Sequence, residues 1–301
     1  MICGFCGSNN FKTKQFDIQS KILDKVVSYY TCSKCGSIIQ HPYPSKSELE
    51  EYYNNYISIK TEMNPGYLTE HDLSPFFIER HKTLSEIGFN LSDLQNNRVS
   101  VELGCANGNF LKFIHSNGGV HITGVDISKQ LTEEIDRSVF NVLIGSLDML
   151  EDDSVDNLFA FNVLEHYESV ESVVVNACRI LRLDGNFVVE VPLAGTVSKY
   201  FGDKWRFLMP DEHLNIPSLA GLNTLMNNNG FYLTGITRFG SGLTTGMTFP
   251  LLKKTLDSYA KTLKFGDRGA FLFKKRLALC PSLDKKSTKK TPILTLNPAT
   301  T

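Results

Sequence analysis

Apolar positions along this chain follow two periods. Between residues 98 and 238, short apolar runs alternate with stretches where apolar residues recur every three or four positions. The runs at 99–103, 121–125, 141–144, 155–163, 186–191 and 231–237 predict six strands. Helical spacing at 110–115, 131–139, 170–181 and 218–228 predicts the helices between them. Strands alternating with helices build a mostly parallel sheet covered on both faces. The expected fold class is therefore α/β, a Rossmann-like doubly wound sheet, with ligand sites beyond the carboxyl ends of its strands.

The flanks follow other patterns. Before the sheet, residues 17–30 suggest a strand pair or a strand with a loop. Pro42-Tyr43-Pro44 makes a stiff extended exit. Ser45 and Glu48 then stand at capping-box spacing ahead of Leu49, Tyr52 and Tyr53, which predicts a short helix. Pro65-Gly66 marks a turn in a polar stretch. Phe76, Phe77, Arg80, Leu84 and Ile87 lie at helical spacing. After Gly242 a helix over 251–263 and a last strand over 269–273 are expected. The lysine-bearing tail over 281–301 has little to pack and reads as disordered. The expected organisation is a small module at 1–45, a helical linker at 46–97, a catalytic domain at 98–280, and the tail.

Charge narrows the partners. Thirty-one basic and 32 acidic residues give a net charge of −1, without the electrostatic footprint of a nucleic-acid binder. No apolar run reaches the length of a membrane span, and the N-terminus lacks a signal-peptide pattern, so a cytoplasmic location is expected.

Cysteine placement says more than cysteine number. Of seven cysteines, Cys3-x-x-Cys6 and Cys32-x-x-Cys35 form two pairs, each ending in Cys-Gly, a sequence suited to a tight knuckle. Four thiolates in two knuckles make a closed tetrahedral Zn²⁺ site of structural type, holding together a zinc ribbon too small for its own core. The alternative is free or redox-active cysteines.

The second chemical signal is the turn Glu102-Leu103-Gly104-Cys105-Ala106-Asn107-Gly108 after the first strand. Small residues there let backbone approach a ligand, and the following helix start offers unpaired N–H groups. Glu102 is placed to hold a ligand ammonium, directly or through water. Asp126 ends the second strand 18 residues past Gly108 and is placed to accept from ribose hydroxyls. The register is G-x-A-x-G, which departs from the dinucleotide fingerprint G-x-G-x-x-G.

Here the chain resembles the class I S-adenosylmethionine methyltransferases, over about half its length. Val101-Glu102-Leu103-Gly104-Cys105-Ala106-Asn107-Gly108 looks like their first motif, and Gly124-Val125-Asp126-Ile127-Ser128 like the second. Asp153-Ser154-Val155-Asp156 with Phe161-Asn162-Val163-Leu164-Glu165-His166 resembles the fourth-strand motif. Leu181-Arg182-Leu183-Asp184-Gly185-Asn186 resembles the turn before the fifth strand. The resemblance implies that S-adenosylmethionine is the cofactor. Its amino-acid half would lie on Gly104, Ala106 and Gly108, its ribose on Asp126 and Ile127. Ser146, Leu147 and Asp148 would flank the adenine, with Asn162 beside the methyl. Two departures are Ala106 at the middle glycine, and Ser146 where many relatives carry an acid. The cysteine module with its exit resembles the zinc ribbon fused to a branch of bacterial methyltransferases, several of which act in surface-polysaccharide or sugar modification.

Methyl transfer to a hydroxyl or carbon acid needs an aligned nucleophile and a proton acceptor. His166, just past the fourth strand, is one candidate, with Tyr167 adjacent. The long loop over 193–216 holds Lys199, Tyr200, Lys204, Trp205, Arg206, Asp211, Glu212 and His213 and reads as an acceptor cover. His213 is the second candidate, and Lys204 and Arg206 are candidate phosphate contacts. Each histidine has a packing or capping alternative. The leading expectation is O- or C-methylation of a small molecule such as a sugar or sugar nucleotide. The competing ones are an RNA or protein methyltransferase docking through the ribbon, and a cofactor-binding interaction module without turnover. Oligomeric state is not legible.

Overall fold

The computed structural model describes residues 1–12, 16–20, 25–63, 72–210, 212–240 and 265–276, with single positions between 252 and 263. Asp211, Cys280, the turn at 65–66, most of the expected helix over 251–263 and the expected disordered tail lie outside the described residues.

The N-terminal region forms β1 (Phe16–Gln19), β2 (Val26–Thr31) and β3 (Ile38–His41), paired antiparallel in sequence order. Pro44 leads into α1 (Lys46–Asn54), and the expected capping box is present. The Glu48 amide donates to Ser45 Oγ (3.3 Å), and the Ser45 amide donates to Glu48 Oε2 (2.7 Å). These bonds satisfy donors that a helix start leaves open. Helices α2 (Tyr56–Met63) and α3 (Ser74–Glu86) follow, the latter with proline in its first turn.

The large sheet then builds up as β4 (Val99–Leu103), α4 (Asn109–Ser116), β5 (His121–Asp126), β6 (Asn141–Ile144), β7 (Val155–Phe161), α5 (Val170–Ile180) and β8 (Leu181–Pro192). Then come α6 (Thr196–Phe201), β9 (Asn215–Ile216), α7 (Leu219–Asn228), β10 (Phe231–Phe239) and β11 (Arg268–Lys275). The order across the sheet is β10-β11-β8-β7-β4-β5-β6. Strands β4 to β8 run parallel, and β11 inserts antiparallel between β8 and β10. The expected doubly wound sheet is thus present, with one reversed strand at the side away from β6. Two apolar layers sandwich it. One joins Val101, Leu158 and Val189 with α5 and α7 residues, and the other joins Phe110, Phe113, Phe159 and Leu272 with α3.

Two expectations fail locally. No helix spans 131–139: a single 3-10 turn over Gln130–Thr132 is followed by further turns. The Ser138 amide and hydroxyl both donate to Asp136 Oδ1 (2.9 and 2.6 Å), a local bond that competes with helix propagation. The fourth strand ends at Phe161 because Asn162 turns to φ +54°, a conformation asparagine tolerates.

The small sheet is not confined to the N-terminal region. Its order is β1-β2-β3-β9, so the loop after β8 supplies its fourth strand. Val27, Tyr29 and Ile38 pack with Ala194, Val197, Trp205, Leu208 and Ile216, while Cys3, Phe5, Cys32 and Ile39 join the main core.

Candidate active site

The carboxyl ends of β4, β5, β7 and β8 meet at one mouth, and the glycine-rich turn lies there. Gly104 and Gly108 sit at φ +73° and +76°, and Ala106 takes φ +44°. A Cβ at Gly104 would run into Val163, so the β4 turn and the β7 loop pack without space for a larger residue. Gly108 caps α4. Asp126 ties the turn to β5: the Ala106 amide donates to Oδ2 (2.9 Å) and the Ser128 amide to Oδ1 (2.8 Å). Each carboxylate oxygen keeps a second lone pair for a ligand. Burial raises the Asp126 carboxyl above its ordinary value, and the backbone bonds oppose that rise.

Glu102 is buried at the base of the turn. Its Oε2 has no hydrogen-bond partner among the described residues. Burial pushes its ionisation well up, partly offset by the nearby Arg80 guanidinium. Arg80 reaches this place from α3. It donates to Glu190 Oε2 (2.6 Å) and lies 4.1 Å over the Phe161 ring. Asn162 donates its amide to the Glu190 carbonyl (2.7 Å). On the other flank Ile127 is half exposed, Leu147 is buried, and the Ser146 hydroxyl donates to Asp148.

Across the mouth stands a cluster of titratable groups. The His166 and His213 rings meet edge to face, centroids 5.0 Å apart. The His213 ring also stacks on Phe207, and its Nδ1 lies 2.9 Å from the Phe207 carbonyl. Glu165 is fully buried beside them, and burial pushes its carboxyl up to about 8. Glu212 is buried as well. From α1, Tyr53 enters the same space. Burial raises its phenol, and the carboxylates of Glu212, Asp126 and Glu165 raise it further.

The long loop is fastened to the fold through residues expected to face an acceptor. Trp205 is buried and donates Nε1–H to Asp267 (3.2 Å). Arg206 is paired with the same buried carboxylate (2.9 Å), so Asp267 holds the guanidinium expected to meet a phosphate. Lys204 and Tyr200 are exposed. The loop is thus anchored through its aromatic and cationic residues, and it presents Glu212 and His213.

The four cysteines of the N-terminal knuckles come together. Their sulfurs all lie within 4.8 Å of one another, with Cys3–Cys35 and Cys6–Cys32 at 3.6 Å. Four ligands at a Zn–S length of 2.3 Å sit about 3.8 Å apart, so the cluster fits a tetrahedral ion. The knuckles are alike: Gly7 and Gly36, both at positive φ, donate to the carbonyls of Cys3 and Cys32 (2.9 Å each). The Cys35 thiol is held down at about 4, chiefly by its bond with Cys3, while that bond pushes Cys3 up.

The methyltransferase-domain family matches residues 75–235, more than half of the chain. The chain belongs to that family. It is also similar to an O-methyltransferase of Aspergillus nomiae, 26% identical over 158 residues, covering 46% of this chain and 68% of the relative. Its fold is similar to that of the Streptomyces coelicolor geranyl diphosphate C-methyltransferase, TM-score 0.54 at 14% identity, over 78% of this chain and all of the other. A methyltransferase of Archaeoglobus fulgidus gives TM-score 0.51 at 15% identity over 73% of this chain and 99% of the other.

The protein is an S-adenosylmethionine-dependent methyltransferase. The mouth fits that cofactor on two observations: a buried Glu102 oxygen lacks a partner, and Asp126 retains acceptor capacity at the end of β5. Asp126 and the glycine turn lie at the ends of β4 and β5, and His166 and His213 lie against each other beyond β7. Arg80, Tyr53, Glu165 and Glu212 carried no separable signal. Arg80 sat within an apolar helical stripe, and the others acquire meaning only when α1 and the β9 loop fold against β7.

Proposed function

We propose that this methyltransferase transfers its methyl group to an oxygen or carbon of a small polyhydroxylated acceptor, of the sugar or sugar-nucleotide class. The observation that carries this reading is the cluster of His166, His213, Glu165, Glu212 and Tyr53 at the mouth. Such a lining suits an acceptor with several hydroxyls and one removable proton. The geranyl diphosphate C-methyltransferase bears the name of an enzyme with a small acceptor, and the fungal relative that of an enzyme methylating oxygen.

S-adenosylmethionine supplies an electrophilic sulfonium methyl when bound. Gly104, Ala106 and Gly108 let the backbone approach its amino-acid half, and Glu102 holds the ammonium. Asp126 accepts from the ribose hydroxyls, while Ile127, Ser146 and Leu147 flank the adenine. Asn162 borders the methyl. On the acceptor side His166 and His213 orient the nucleophile and take its proton. The Phe207 carbonyl can only accept, so the proton of His213 sits on Nδ1 and Nε2 is left as the basic nitrogen.

Cys3, Cys6, Cys32 and Cys35 hold a structural Zn²⁺ in a ribbon built from residues 1–45, followed by a linker at 46–97 and a catalytic domain at 98–280. A ribbon that docks RNA or protein is the weaker reading, because β9 pairs with the β3 edge and the loop covers one face of the ribbon sheet. No described helix is long and apolar enough to cross a membrane.

A screen of labelled methyl transfer from S-adenosylmethionine to sugar nucleotides, free sugars and RNA tests this reading. Transfer to a sugar-class acceptor, lost in His213→Ala, is expected. Transfer to RNA alone would overturn it.

A further inference from the structure

Glu165, His166 and His213 also place three ligand atoms, one from each side chain, within 4.8 Å of one another. The residues come from two segments, the 3-10 turn Leu164–His166 after β7 and the end of the acceptor loop. The Leu214 amide, donating to the Glu165 carbonyl at 2.8 Å, fastens one segment to the other. The bond from His213 Nδ1 to the Phe207 carbonyl fixes the ring, the support that metal-binding imidazoles commonly have. Both Glu165 carboxylate oxygens are buried with no hydrogen-bond partner among the described residues. A carboxylate in that position is costly unless it is protonated or met by a cation.

We propose that Glu165, His166 and His213 form a second metal site, for a divalent first-row transition cation, separate from the four cysteines. Two imidazoles and one carboxylate are a donor set suited to Zn²⁺, Fe²⁺ or Co²⁺, and three protein ligands leave coordination positions open. With bonds of about 2.1 Å, ligand atoms stand about 3.0–3.4 Å apart, so the three side chains close modestly on the ion. The three residues belong to the mouth where the acceptor is proposed to bind. A cation there holds and polarises an acceptor oxygen. The ion-bound form replaces the direct proton transfer to His166 or His213 proposed above: both imidazoles act as ligands, and an acceptor hydroxyl made more acidic by the cation gives its proton to solvent as the methyl is transferred.

The inference rests on the acceptor-side placing proposed above, but metal binding is read without turnover, so the two can fail separately. The test titrates full-length protein, its four-cysteine site filled with zinc, with Co²⁺. The expected result is one further equivalent bound, with weak visible d–d bands and no intense thiolate charge-transfer bands. Glu165→Gln and His213→Gln should each weaken that binding at least tenfold while the zinc content stays at one. If Glu165→Gln does not fold, His166→Gln takes its place. No cobalt bands at millimolar metal, bands of thiolate character, or equal affinity in the variants would each overturn the proposal.

Discussion

The seven-stranded sheet draws its strands from residues 99–275 and buries Val101, Leu158, Phe187 and Val189 against helical layers. The four-stranded sheet has three short strands of its own and takes its fourth, Asn215–Ile216, from the loop after β8. A module of that size cannot bury enough apolar surface to stand alone. It makes up the deficit with four clustered sulfurs and with its neighbour's chain. The Gln40 amide donates to the Leu214 carbonyl (2.9 Å), the Tyr29 hydroxyl to the His213 carbonyl (3.3 Å), and the Tyr43 hydroxyl to Asn215 (2.9 Å). The segment that carries His213 is therefore part of the cysteine module's sheet. The glycine turn and Asp126 stand instead at the ends of β4 and β5 of the large sheet.

The largest test of this division removes the cysteine cluster. In Cys35→Ser, methyl transfer is expected to fall at least about 100-fold, while cofactor affinity, read by calorimetry, changes less than about threefold. Equal losses would mean that the sheets are not separable in this way. The converse test is Asp126→Ala. It removes a buried carboxylate that holds the glycine turn, and bonds to charged groups contribute about 1.5–3 kcal/mol each, so cofactor affinity should drop about ten- to a hundredfold. Asp148→Ala should cost less than about threefold on the same titration, because Asp148 pairs with Ser146 at the surface. Comparable losses would place the ribose elsewhere.

A smaller effect is expected at the contact between the two parts. A Cβ at Gly221 in α7 would meet the Ser37 hydroxyl and approach Cys35 Sγ to 3.2 Å. Gly221→Val should destabilise by about 1–3 kcal/mol, visible as a lower Tm, with faster zinc loss to a chelator and cofactor affinity unchanged. The smallest effect concerns α1, which carries Tyr53. The Lys25 ammonium, then the Ser45 amide and hydroxyl, hold the Glu48 carboxyl down at about 2. A depressed carboxyl gives stability that is present above about pH 4.5 and lost as pH falls through about 2. The wild type should therefore lose a little Tm over that window, and Glu48→Gln should show a flatter profile. The pair is partly exposed and screened, so the difference is small.

Much of the fold was legible because its signals are local. The strands at 99–103 and 141–144 match their apolar runs, Ser45 and Glu48 cap α1, and Cys6-Gly7 and Cys35-Gly36 form the expected knuckles. The miss at 131–139 was also local in cause, since Asp136 and Ser138 bond to each other where the apolar period favoured a helix. The anchoring of Trp205 and Arg206 has no local signal, because their partner, Asp267, lies 62 and 61 residues away. No spacing rule reaches that far.

By itself, then, the sequence determined the alternation of strands and helices, the glycine turn with Asp126, and the two cysteine knuckles. Each depends on residues that are neighbours along the chain or follow a fixed period. Tertiary structure alone decided that β9 completes the cysteine module's sheet, that Arg80 reaches Glu190, and that Glu165, His166 and His213 gather in one place. Those groups are brought together by burial of surfaces far apart in sequence, and their charges act on one another only once water has been removed from between them.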